Sequence, residues 1–147
     1  MTVSSFTTLS LSSKPMVSFN VQLPSRGAKT FTSSKLFAVN FLASTEKHAA
    51  IAHAFASSDL NDTQDSLFCK KCDFEEISSF GNVPVLCDAL VVFYCKVVRE
   101  IYSGTDHILY LGEVVSVKNN TCDENVHGLL YCNRQFHRVG NDIKYNV

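Results

Sequence analysis

The chain has 147 residues, enough for one domain with a proper core and too few for two. Apolar residues make up 46% of it, with eleven Phe, five Tyr and no Trp, a composition that excludes extended disorder. A formal net charge of −1, with no run of Lys or Arg, leaves no electrostatic footprint for nucleic acid or an anionic membrane surface.

At the N-terminus, Thr2 to Leu11 alternates Val3, Leu9 and Leu11 against small hydroxyl residues. This predicts a strand with one apolar face, kinked where Phe6 breaks the phase. Met1 to Pro15 is free of acids, but it has no Arg and no apolar run of a secretory signal. The six cysteines are therefore expected as free thiols in a reducing intracellular compartment, the cytoplasm ahead of the mitochondrion. Met16 to Leu23 alternates again and stops at Pro24, a second strand beside the first. Ala28 and Phe31 predict a short helix over Arg26 to Lys35, and Leu36 to Leu42 reads as a Phe- and Val-rich strand. The alanines after Thr45 favour a second helix through Ser57. From Ser57 to Val83 the composition is polar with no sustained period, which predicts a long loop. Three apolar runs follow, Ala89 to Val98, Ile108 to Val117 and Leu129 to Tyr131, and read as the closing strands of a barrel. The longest apolar stretch, Val83 to Val98, is interrupted by Cys87, Asp88 and Lys96 and falls short of the roughly 18 residues a spanning helix needs. The expected architecture is a mainly β protein, a β-barrel with a few helices, and no membrane partner is expected.

Three motifs in order carry a resemblance. They are Met1-Thr2-Val3-Ser4-Ser5-Phe6-Thr7 running on to Pro15-Met16-Val17-Ser18-Phe19-Asn20, then Gly104-Thr105-Asp106-His107-Ile108-Leu109-Tyr110-Leu111-Gly112-Glu113-Val114, then Leu129-Leu130-Tyr131-Cys132-Asn133-Arg134-Gln135-Phe136-His137-Arg138. On them the sequence resembles the flavin reductase-like family, which includes reductase partners of two-component monooxygenases. The resemblance spans residues 1–147 as one domain, with 57–82 a divergent polar loop. It implies a split β-barrel of the FMN-binding type with Greek-key character, lacking the family's first strand ahead of Met1 and closing its barrel through a homodimer partner. It further implies a flavoprotein oxidoreductase that binds FMN, or FAD, and takes hydride from NAD(P)H, with a monooxygenase receiving the reduced flavin. A catalytically weak or inactive flavin-binding scaffold of the same fold is the alternative.

The resemblance also assigns residues. Thr2, Val3, Ser4 and Ser5 would line the isoalloxazine and ribityl chain, with Phe19 beside them, while Asn20, Ser25 and Arg26 would lie near the ribityl and phosphate. Gly27 departs from the family's usual Thr. His107 would position the nicotinamide, since hydride passes directly from nicotinamide C4 to flavin N5 and the chemistry belongs to the cofactors. Arg134 would hold a phosphate or the flavin's anionic face, with Tyr131 and Phe136 packed nearby. Read without the resemblance, the early hydroxyls suit a solvated edge strand, His107 a surface turn and Arg134 a surface ion pair. Cys69-Lys70-Lys71-Cys72 has one half of a zinc site and no second pair at the right spacing, so no metal is expected. Cys95, inside an apolar run, reads as a buried small hydrophobe.

Overall fold

A computed structural model describes residues 1–56, 72–104, 106–121 and 126–140. Its main sheet has five strands in the order β1-β2-β7-β6-β3, every pair antiparallel: β1 is Thr7–Ser10, β2 Met16–Gln22, β3 Leu36–Phe41, β6 Val91–Ser103 and β7 His107–Asn119. Strand β2 lies beside β7, the last of the β3, β6, β7 series, which is the Greek-key arrangement of a split barrel. Two helices flank the sheet, α1 (Arg26–Ser34) between β2 and β3 and α2 (Glu46–Ala56) after β3. A hairpin of β4 (Phe74–Ile77) and β5 (Val83–Leu86) and a second of β8 (Leu130–Cys132) and β9 (Gln135–His137) stand apart from it. No described helix is long and apolar enough to cross a membrane.

Strand alternation sorts the apolar side chains into two cores. Val17, Phe19 and Val21 of β2, Phe37 of β3, Cys95 of β6, and Ile108 and Tyr110 of β7 fill the first, closed by Ala28 and Phe31 of α1. Phe19 stacks on Tyr110 at 5.5 Å and meets Phe31 and Phe37 edge-on, the geometry that aromatic quadrupoles favour. The opposite face of β6 turns Val92 and Tyr94 into a second core with Ile51 of α2 and Val85 and Leu86 of β5. Because its first half is buried on both faces, β6 reads as a continuous apolar run instead of an alternating one. The second core is fixed at one end by the buried His48. Its Nδ1 accepts the Ala43 N–H at 2.8 Å, and its Nε2 lies 3.3 Å from Asp88. Burial pushes the Asp88 carboxyl up, but Lys47 and His48 together hold it below its ordinary value.

Several expectations are corrected. Residues Thr2 to Phe6 are not strand, and pairing begins only at Thr7, because the hydroxyls of this stretch bond elsewhere. Within the expected loop, the described part folds as the β4–β5 hairpin around a 3-10 turn, Ser78–Phe80. Residues 57–71 lie outside the described residues. Strands β6 and β7 both outrun the apolar runs that announced them, since each carries a bulge. Val115 is skipped between the pairs Tyr94↔Ser116 and Cys95↔Val114, and Val98 between Val97↔Gly112 and Arg99↔Leu111. Each bulge resets which face a side chain meets, so alternation breaks while the strand continues. Both skipped valines are exposed, Val115 at 41% and Val98 at 57%. The run at Leu129 to Tyr131 is a hairpin strand and not a barrel strand, since its partner β9 follows after a two-residue turn.

Gly112 marks the tightest point of the first core. A Cβ built there would lie 2.5 Å from Cζ of Phe37, a ring already held by Phe19 and Phe31. Gly112→Ala is therefore expected to destabilise the fold by about 1–3 kcal/mol, as overpacking of a filled core does. A lower urea midpoint at unchanged m-value would show it.

Candidate functional site

The β2–β7 ladder runs without a bulge, so its register decides which side chains share a face. With Val17, Phe19 and Val21 turned inward from β2, Asn20 and Gln22 turn outward, and Ser18, on their side of the sheet, is covered. On β7 the same logic sends Ile108 and Tyr110 in, and His107, Leu109 and Leu111 out. Asn20 lies opposite Leu109, and Gln22 opposite His107. The structure thus brings Asn20 and His107 to one face as diagonal neighbours. Beyond them Ile101, 40% exposed, lies opposite Leu109 on β6. The result is an apolar strip, Leu109 with Ile101, rimmed by the polar Asn20, Gln22 and His107. Sequence reading missed Gln22 and Leu109; the alternation of β2 carried the signal for Gln22, whereas the face of Leu109 follows only from the register.

The N-terminal segment crosses the end of this strip. The Asn20 N–H donates to Ser5 Oγ at 2.8 Å, and the Ser5 hydroxyl lies 3.4 Å from the Asn20 carbonyl, a two-point clasp. Thr2 is committed elsewhere: its N–H donates to the Phe55 carbonyl at 2.9 Å and its hydroxyl to the Ala52 carbonyl at 2.7 Å. The Phe55 carbonyl is one of the last four of α2, which have no partners within the helix, and the Ala52 carbonyl lies one turn earlier. Val3 packs against the first core, and Ser4 is exposed. Phe19 is 3% exposed, so its ring belongs to the core and only its backbone borders the strip.

After β2 the chain turns into α1, which Ser25 caps: its Oγ accepts the Ala28 N–H at 3.4 Å. A capped nine-residue helix carries first-turn N–H groups and a positive dipole end, and Arg26 opens that turn. The Sδ of Met1 lies 2.8 Å from where a Gly27 Cβ would stand, so the space a larger side chain would need is taken.

His107 begins β7 directly after the turn at Gly104, whose φ of +66° suits glycine. Its Nδ1 lies 2.9 Å from Asp106 Oδ1, and the Leu23 N–H donates to the Asp106 carbonyl. Arg134 sits apart, in the turn of the β8–β9 hairpin, where Asn133 and Arg134 both take positive φ, 52° and 62°. Those angles are the two-residue hairpin turn that joins strands of natural twist, with Arg where glycine is usual. Arg134 makes no hydrogen bond or ion pair among the described residues. The hairpin is rooted on the end of β3, where the Leu129 N–H donates to the Leu42 carbonyl, and Tyr131 and Phe136 pack ring to ring at 5.1 Å.

Cys87, Cys95 and Cys132 are free thiols, and burial pushes the Cys95 thiol up to about 12, which leaves it inert. Cys69, and with it the Cys69–Cys72 motif, lies outside the described residues. Among the described residues no group of three or more His, Cys, Asp or Glu side chains stands together as metal ligands.

An apolar strip with a polar rim, laid along a Greek-key barrel next to a capped helix N-terminus, suits a planar cofactor carrying a phosphate. That is the character of a flavin-binding split barrel. The chain belongs to the flavin reductase like domain family, whose model matches residues 1–140. It is 38% identical to the FMN reductase (NADH) RutF of Pantoea ananatis over 60 residues. Those residues are 41% of this chain and 30% of that relative, so the chain spans less than a third of that relative's length. Among solved structures it is similar to the NADH:FAD oxidoreductase SgcE6 of Streptomyces globisporus in complex with NAD and FAD fragments. That likeness has 26% identity and a TM-score of 0.75, covering 97% of this chain and 78% of that one. The flavin reductase PheA2 matches at 26% identity and a TM-score of 0.70, over 93% of this chain and 78% of that one. The styrene monooxygenase flavin reductase of Pseudomonas putida shares the fold, with 23% identity and a TM-score of 0.73, over 97% of this chain and 81% of that one.

Proposed function

We propose that the chain is an NAD(P)H-dependent flavin reductase that binds FMN, with FAD as the alternative, along the outer face of β2 and β7. The observation that carries this reading is the placement of Asn20, clasped by Ser5, and His107 on one face over the apolar Leu109 and Ile101. The donor set suits the cofactor: amide and backbone groups for the polar ring edge, an apolar floor for the ring, and the Ser25–Arg26 helix start for the phosphate. In this reading Ser4 and Ser5 edge the flavin, Val3 and Phe19 support it from the core, and Thr2 anchors the segment to α2. His107 faces the nicotinamide side. Arg134 is a guanidinium held out in a strained turn, suited to a dinucleotide phosphate.

The chain acts as a homodimer. Supporting this, Val98 on β6 and Val115 and Val117 on β7 are exposed apolar side chains, of the kind a second copy covers. Free thiols suit a cytoplasmic setting. A monooxygenase is the acceptor of reduced flavin in this reading, as the sequence resemblance implies.

The test is a visible spectrum of purified protein titrated with FMN, followed by NADH and NADPH oxidation under air, with sedimentation to read the oligomer. A perturbed flavin spectrum with turnover is the expected result. Flavin binding without turnover would overturn the reductase reading, and the absence of binding would overturn the site.

A further inference from the structure

We infer that His48 is an acid-sensitive latch: neutral, it pins the turn after β3 that roots the β8–β9 hairpin, and as a cation it lets that root go. The latch lies away from the strip on β2 and β7 and does not rest on the reductase reading. Thr45 heads α2, its Oγ1 accepting the His48 N–H at 3.2 Å and its carbonyl the Ala49 N–H at 2.9 Å. His48 is thus the third residue of the helix, where a capping box carries Glu or Gln to accept a backbone N–H from the chain ahead. Here the acceptor is an imidazole nitrogen, Nδ1, which takes the Ala43 N–H at 2.8 Å. A Gln amide oxygen accepts at any pH, whereas Nδ1 accepts only while it carries no proton.

The Ala43 bond secures a short splice. The Leu42 carbonyl accepts the Leu129 N–H at 2.8 Å, Ala43 bridges Gly128, and the Ser44 N–H donates to the His127 carbonyl at 2.9 Å. Residues 42–44 therefore carry the root of the hairpin that holds Tyr131, Arg134 and Phe136. Ala43 and His48 are both buried, at 6% and 5% exposed, so water cannot replace their bond while the turn stays in place. An imidazolium sets Nδ1–H against the Ala43 N–H, two donors face to face, and the turn must shift to find the backbone donor a partner. The charges nearby make the cation accessible. Burial pushes the Asp88 carboxyl up, but Lys47 and His48 hold it below its ordinary value, so beside Nε2 it stays an anion where an imidazole titrates. Lys47, raised by its hydrogen bond to Asp88, stays a cation. Further out stand Glu46 on α2, Asp73 and Cys72 ahead of β4, which bear on Lys47, and His127 at the hairpin root.

The test is amide hydrogen exchange of the full chain at about pH 7.5 and about pH 5.5, either side of an ordinary imidazole, with rates corrected for the intrinsic effect of pH. At the lower pH the Ser44 and Leu129 amides are expected to lose protection roughly tenfold, the scale of one lost hydrogen bond, while amides of the β2–β7 ladder keep theirs. His48→Asn puts an amide oxygen near the place of Nδ1 and does not titrate, so its hairpin root should be equally protected at both pH values. His48→Ala should show the open root at both. His127→Gln removes the other imidazole at the root and should leave the acid response intact. No acid response in the unaltered chain, a response that persists in His48→Asn, or one that vanishes in His127→Gln would overturn the latch. Equal loss of protection in the β2–β7 ladder would overturn it too, since that is global unfolding.

Discussion

His107→Ala is expected to slow NADH oxidation by roughly tenfold to hundredfold while leaving the flavin dissociation constant nearly unchanged, the cost of losing orientation at a reacting centre. The asymmetry follows from the layout. Asn20, Ser5 and the Ser25 helix start lie along β2 and its flanks, whereas His107 stands at the first residue of β7, opposite Gln22. Removing the imidazole takes one contact from the rim and none from the helix start or from the apolar floor of Leu109 and Ile101. Hydride transfer needs nicotinamide C4 against flavin N5, so a misplaced nicotinamide loses rate even while it still binds. Stopped-flow reduction of bound flavin gives the chemical step, and fluorescence titration gives the flavin affinity. Equal losses in both would place His107 at the flavin and overturn the nicotinamide-side assignment.

Much of the architecture was legible in the residues because the barrel obeys local rules. Strand β2 alternates apolar and polar residues from Met16 and ends at Gln22, just before Pro24, and α1 is bounded by the Ser25 cap and the left-handed Lys35. What escaped has a physical reason in each case. The bulges at Val98 and Val115 shift phase in mid-strand, so a period-2 reading stops early. The β4–β5 hairpin pairs Glu75 with Val85 and Glu76 with Pro84, and the two glutamates of β4 hide that the apolar Val83 to Leu86 has a strand partner there. Thr2 to Phe6 has strand composition, but Thr2 spends its donors on α2 and Ser5 clasps Asn20, tertiary bonds that no local pattern announces.

The site was legible to a different depth. The motif around His107 pointed to a residue that the ladder places on the same face as Asn20, so two assignments made separately converge in space. The floor under them, Leu109 and Ile101, was read only as strand hydrophobicity, because which face an apolar residue takes depends on a register that sequence does not state.

Phe19 separates core from site most sharply, and Phe19→Ala is expected to cost about 3–5 kcal/mol, the range for deleting a buried aromatic ring. The ring is 3% exposed and touches Phe31, Phe37 and Tyr110, so its removal leaves a void bounded by three rings on three elements. Those elements cannot all move in: Tyr110 is tethered by its hydroxyl, which donates to the Ala28 carbonyl at 3.0 Å, and Phe37 lies against Gly112. Against the roughly 5–15 kcal/mol that holds a domain of this kind together, the loss is severe, and a fall in Tm of roughly 10 °C or more should accompany it. Because the alanine variant folds poorly, Phe19→Leu carries the functional half of the test. It keeps most of the volume at a cost of about 1.5 kcal/mol or less, and flavin affinity should stay within roughly twofold if the ring only supports the strip from below. A tenfold loss of flavin affinity in Phe19→Leu at unchanged Tm would instead mean that the ring reaches the cofactor, which its position between β2, α1 and β7 forbids.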